Sequence, residues 1–228
     1  MTSKEVIRQL QSLGNKTNIE GMKRFNISCT KAFGVNAPNI RSIAKQIKTD
    51  HVLALQLWNS GYHEARILAT LIADPDSANL KLLDQWANEI ENWAQCDACC
   101  GEFFQKTQYA QSLPFRWAKS RKEFVRRAGI VMIAEMAVHH KNEKDIIFEQ
   151  YFPIINKYST DERNFVKKAV NWALRQIGKR NHRLQKKAII LVRKIHKIPS
   201  STAKWIATDA LRELTNQKTI SIINRRKG

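Results

Sequence analysis

The stretch RNFVKKAVNWALRQIGKRNHRLQKKAIILVRKIHK, residues 163 to 197, carries twelve Lys or Arg and no acidic residue. Its periodicity is helical. At 100° per residue Val166, Ala169, Val170, Ala173, Leu174 and Ile177 gather on one side, and Lys168, Arg175 and Lys179 on another. The spacing therefore predicts an amphipathic helix over 162–178 with a cationic outer face, followed after a turn by a second over 184–196. Trp172 lies within roughly 60° of Lys168, Arg175 and Lys179 on the same wheel, so an aromatic ring stands among cations. Two readings fit it. One is a Trp at the core edge with lysines snorkelling past; the other is a nucleic-acid face, with cations for phosphates and a flat ring for a sugar or base.

The same alternation of helix and turn extends outward through the chain. Apolar spacing predicts helices over 4–13, 37–47, 50–58, 63–73, a stretch ending near 93, 97–106, 123–138, 145–157 and 202–214. Asp50 reads as a helix cap, and Asp74-Pro75-Asp76-Ser77 as a break. Nothing reads as a strand. Turn signals separate helix pairs by roughly 35 to 45 residues, the period of HEAT-like repeats. The expected fold is all-α, a curved solenoid of HEAT-like helical repeats, with residues 1–228 as a single repeat domain.

Charge is distributed unevenly. Residues 1–114 hold 12 basic and 11 acidic side chains, whereas residues 115–228 hold 27 and 9, which places nearly all of the +19 in the C-terminal half. Such a field suits a polyanion, and a basic C-terminal half would line the concave side of the solenoid. A membrane surface is the competing partner, but no run approaches eighteen apolar residues and the amphipathic helices alternate as core-forming elements do. The N-terminal MTSKEVIRQLQSLG lacks the apolar core and small-residue cleavage site of a signal peptide, so a soluble, cytoplasmic protein is expected. Cys29, Cys96, Cys99 and Cys100 would then be reduced, and their spacing does not suit zinc; neither metal nor organic cofactor is expected. No Gly-rich phosphate loop or GxSxG elbow is present, which leaves nucleotide hydrolysis and serine chemistry without residues to perform them.

Candidate chemistry lies in ENWAQCDACC, residues 91–100. Trp93 and Asp97 are four apart, hence on one helical face if the helix continues. Asp97 is either a helix N-cap after a break near Ala94 or a charge held where a cation develops. Arg127, in KEFVRRAG, adjoins the apolar positions Phe124, Ala128 and Val131, where it would brace a helix end or clamp a phosphate bidentately. Trp58, Trp86, Trp117 and Trp205 read as packing residues, and His63, His139 and His140 as surface or core histidines.

Five blocks, SGYHEARILATLIADP, ENWAQCDACC, FVRRAG, RNFVKKAVNWALRQIGKRN and KWIATDALRELT, resemble in order those of the AlkD-like DNA alkylation repair family, HEAT-like repeat DNA glycosylases. The resemblance spans nearly the whole chain. It implies that Trp93 and Asp97 correspond to the family's Trp-x-x-x-Asp pair, Arg127 to its phosphate-contacting Arg and Trp172 to its second active-site Trp. Lys168, Arg175 and Lys179 would add DNA-backbone contacts. It further implies a monomer that excises cationic N3- or N7-alkylated purines from duplex DNA in base excision repair, without a flipped-base pocket and without cofactor. Between the pair, Ala94, Gln95 and Cys96 stand where the best-known member has acidic and bulkier residues. The rival readings are a non-catalytic HEAT-like module for branched or damaged DNA and a HEAT-like protein scaffold; retention of Asp97 argues against the first and the charge of the C-terminal half against the second.

Overall fold

The structure, a computed structural model, describes residues 1–27 and 31–225; Cys29 lies outside them. Every regular element among the described residues is helical. The chain divides into two compact units, Met1–Tyr109 and Ala110–Gly228. The boundary falls at the charge step, since no charged residue lies between 110 and 114: the first unit has net charge +1 and the second +18.

The first unit holds α1 (Ser3–Ser12), α2 (Lys16–Arg24), α3 (Ala37–Ile47), α4 (His51–Asn59), α5 (His63–Ile72), α6 (Leu80–Glu89) and α7 (Trp93–Ala98), continued by a π-helical turn Cys99–Phe103 and a 3-10 turn Phe104–Lys106. Short polar residues start most of these. Thr2 and Glu5 form a capping box on α1, and Asn15, Asn36, Asp50, Asn79 and Asn92 each accept from a backbone N–H in the first turn of the helix they cap. α5 is central and packs against α3, α4 and α7. Beside it Trp58 and Trp86 stack with ring centroids 4.2 Å apart, and Trp58 Nε1 donates to Glu89 at 2.6 Å. Both rings are core, as expected from their setting.

In the second unit the helices are α8 (Leu113–Trp117), α9 (Glu123–His139), α10 (Asp145–Glu149), α11 (Phe152–Lys157), α12 (Asn164–Gly178), α13 (His182–His196), α14 (Ser201–Thr215) and α15 (Gln217–Arg225). α9 is buried almost all round, from Arg127 through Ala137, which is what a helix apolar on every side requires. It packs on α8 and α12, and α12 in turn on α13 and α14. The close approach of α8 depends on Gly129, where a Cβ would lie 2.6 Å from the Ala118 nitrogen and 3.0 Å from the Trp117 carbonyl carbon.

Several sequence expectations change. The expected helix over 145–157 is two, α10 and α11, divided at Gln150–Tyr151 ahead of Pro153 in the first turn of α11. The helix expected to run to about 93 ends at Glu89, and the one expected from 97 begins at Trp93. α2, α8 and α15 are additional.

Candidate functional site

In the first unit the site is organised by α7. Asn92 is its cap, with Oδ1 accepting from the Gln95 N–H at 3.0 Å, so Asp97 is not an N-cap but a residue one turn inside the helix. Trp93 and Asp97 therefore share a face, and both are half-buried. The Trp93 ring is oriented by its Nε1, which donates to the Phe25 carbonyl at 2.9 Å at the end of α2. Phe25 itself stands 71% exposed, an aromatic that composition alone gives no reason to place beside Trp93.

Beneath this face lies a buried polar layer. His63 Nδ1 faces the amide nitrogens of Asn92 at 3.4 Å and Gln95 at 3.3 Å, while Gln95 Oε1 accepts from the Glu91 N–H at 3.0 Å. Amide donors toward Nδ1 place the imidazole proton on Nε2. Burial pushes the His63 pKa below its ordinary value, against the nearby Glu64 and Glu91 charges, which favours the neutral ring this arrangement needs. Glu64, fully buried, accepts from the N–H groups of Phe33 at 3.0 Å, Gly34 at 2.6 Å and Val35 at 3.2 Å. Three N–H donors satisfy the carboxylate and fix residues 33 to 35 against α5. Behind α7, burial, assisted by the Asp97 charge, holds the Cys99 and Cys100 thiols well above their usual range, so both are neutral packing groups.

The second unit presents the cations. Lys168 is exposed on α12 and Trp172 half-buried. Gln176, with its amide turned to satisfy its neighbours, accepts from Trp172 Nε1 at 2.9 Å and from Lys179 Nζ at 3.3 Å. Trp172 is thus neither in the core nor loose. Arg175 and Lys179, expected as free phosphate contacts, are both ion-paired with Glu213 of α14, Lys179 at 2.6 Å. Partial burial raises the Glu213 pKa less than these two cations lower it, and its carboxyl stays ionised. Trp205, read from the sequence as packing, is 42% exposed, with Lys167 Nζ 5.0 Å from its ring centroid. Its helical spacing to Asp209 and Arg212 already placed it on the polar face of α14.

Arg127 lies where α9 meets the first turn of α12. It is 5% exposed and its Nη1 donates to the Phe165 carbonyl at 2.7 Å, tying α9 to the first turn of α12. The neighbouring Arg126 pairs with Asp161 at 2.7 Å and lies over the Tyr158 ring. Burial opposes ionisation of Asp161, but hydrogen bonds from Arg163 and Arg126 outweigh it and hold the pKa at about 2.

No curated protein matches the chain. A solved structure described as "a new family of proteins related to the HEAT-like repeat DNA glycosylases with affinity for branched DNA structures" superposes with a TM-score of 0.75 at 21% identity, covering 93% of this chain and 95% of that one. A designed armadillo repeat protein aligns at a TM-score of 0.40 and 15% identity over 83% of this chain and 80% of its own, too loosely to bear on the fold. No helix among the described residues is long and apolar enough to cross a membrane. Residues 6–214 match the model of the DNA alkylation repair enzyme family, and the chain, all-helical with a HEAT-like repeat fold, belongs to that family.

Proposed function

We propose that the protein is a DNA glycosylase that removes cationic N3- or N7-alkylated purines from duplex DNA and leaves an abasic site, acting as a monomer in the cytoplasm. The observation that carries this reading is the Trp93–Asp97 pair, one turn apart on one face of α7, with the indole pinned by the Phe25 carbonyl. An alkylated purine already bears positive charge, so its glycosidic bond breaks without a strong general acid. The need is for charge stabilisation on the sugar side: as the C1′–N bond breaks, the base leaves with its electron pair, and water adds at C1′ and gives up a proton. A preorganised carboxylate stabilises the oxocarbenium-like sugar and orients that water, while indole faces share the positive charge.

The second unit supplies the backbone affinity in this reading, through Lys168 directly and through Arg175 and Lys179 by exchange of Glu213 for phosphate oxygens. Trp172, held by Gln176 among those cations, is the indole that this reading assigns to the second unit. Arg127 contributes by holding α12 in place through the Phe165 carbonyl.

The test is release of free base from duplexes containing N7-methylguanine or N3-methyladenine, with wild type and Asp97→Asn side by side. Asn keeps the shape and removes the charge, so the fold and DNA affinity are expected to persist while excision falls by about 10² or more. Wild-type rates in the Asn variant would refute the catalytic assignment. A second reading, a non-catalytic module for branched DNA, is favoured by the relative described as having affinity for branched structures. It predicts tight binding of a four-way junction by the wild type and no released base at any salt concentration.

A further inference from the structure

α13 buries Leu184, Ala188, Leu191, Val192 and Ile195. It is also tied to its neighbours by Gln185, whose Nε2 donates to the Leu214 carbonyl at 2.7 Å, and by His182, which meets Asn224 at 2.7 Å. On the helical wheel these apolar residues centre roughly 145° from a stripe of positions spaced three and four apart that runs the length of the helix. That stripe faces away from α12 and α14, against which α13 packs. It contains six cations, no acid, and Ile190 at its centre, 67% exposed. Arg183 and Lys187, at its start, both pair with Glu149, at 3.0 and 2.5 Å. Lys186, Arg193, Lys194 and Lys197 are exposed and make no ion pair among the described residues. They span about 17 Å of helix at 1.5 Å per residue.

An ordinary solvated face mixes signs, because like charges three or four apart repel; here Arg193 and Lys194 each crowd Lys197 with no acid between. A bound polyanion relieves that repulsion. We propose that this stripe of α13 is a nucleic-acid backbone-binding surface in its own right, separate from the α12 face that carries Lys168 and Trp172, so that the protein holds two duplex segments at once. Phosphate backbone fits better than a lipid surface. A helix that inserts into a membrane interface needs its apolar face free, whereas the apolar face of α13 is consumed by the core, leaving a single isoleucine outside. The inference goes beyond base excision and does not depend on it.

The experiment uses the full chain and two short undamaged duplexes, one biotinylated and immobilised, the other fluorescent and added after the first is saturated with protein. Wild type is expected to capture the fluorescent duplex. The variant K186Q/R193Q/K194Q/K197Q, exposed substitutions by a residue of similar helix propensity, is expected to bind the first duplex within a few-fold of wild type and to lose capture of the second by tenfold or more. The control K4Q/K16Q/K45Q/K81Q, equal in charge removed but confined to the first unit, is expected to capture as wild type does. Capture of only one duplex by wild type, undiminished capture by the α13 variant, or equal loss in both variants would overturn the proposal. So would loss of binding to phosphatidylserine-containing vesicles in the α13 variant with DNA co-capture unchanged, which would assign the stripe to a lipid surface. Base release from a lesion duplex, followed in parallel, should be kept by the α13 variant; its absence in all proteins would count against excision and leave the co-capture result standing.

Discussion

Asp97, His63 and Glu64 are polar residues of the first unit, and each is accommodated differently. Asp97 stays half-exposed on the α7 face, whereas Glu64 is buried whole and satisfied by the backbone N–H groups of residues 33 to 35. His63 is kept neutral by burial, with Asn92 and Gln95 donating to its Nδ1. A folded-state pKa below the unfolded value means that the unfolded chain takes up the proton first. Stability is then complete at pH values above about 6.5, the ordinary histidine pKa, and is lost as the pH falls below it toward the depressed folded value. Thermal melts between pH 7.5 and 5 are expected to show a steeper loss of Tm for wild type than for His63→Gln, which has no imidazole to protonate. Parallel slopes would mean that the buried imidazole accepts a proton without cost.

At the scale of elements, two glycines in helices separate backbone cost from packing need. Gly129 lets α9 touch α8; a methyl there meets the Ala118 nitrogen and Trp117 backbone, which cannot move aside cheaply. Gly129→Ala gains about 1 kcal/mol of helix propensity but overpacks a buried contact at a cost of about 1–3 kcal/mol, so a net loss is expected. Gly21, in α2, has nothing within 4 Å of its would-be Cβ, and Gly21→Ala is expected to stabilise by about 0.5–1 kcal/mol. Chemical denaturation of the two variants should move in opposite directions; a shift of Gly129→Ala to higher denaturant would show that α8 yields.

Taken as a whole, the molecule carries its charge in one of two units, +18 against +1. Affinity for undamaged duplex is accordingly expected to fall by about 10³ to 10⁵ between 50 and 200 mM salt, the loss for six to ten phosphate contacts. Cations already neutralised in place, Arg175 and Lys179 by Glu213, Arg183 and Lys187 by Glu149, release fewer counterions than their number suggests. The slope of log K against log salt should therefore lie below the count of exposed Lys and Arg. Fluorescence anisotropy across that salt range measures it, and a flat response would remove the backbone-binding reading altogether.

What local periodicity carries was determined by the sequence alone. The apolar spacing of 163 to 197 is enough to write α12 and α13, and the same rule finds α1, α3, α5, α9 and α14, because a helix must turn one face to a core whatever that core contains. The five blocks likewise carry the family resemblance in their letters alone. Short elements escaped: α8 has one turn with a proline in it, and the break between α10 and α11 leaves too little length for a period to show. The partners of the charged and polar side chains were decided by the tertiary structure. Arg175 meets a carboxylate 38 residues away, Arg127 a carbonyl 38 residues away, and the Trp93 indole a carbonyl 68 residues away. A side chain's face is set by its own helix, but which acceptor waits there depends on how the helices pack. For that reason α12 could be recognised as a cationic helix from its letters, while only packing separated Lys168, left to solvent, from the two cations that Glu213 already holds.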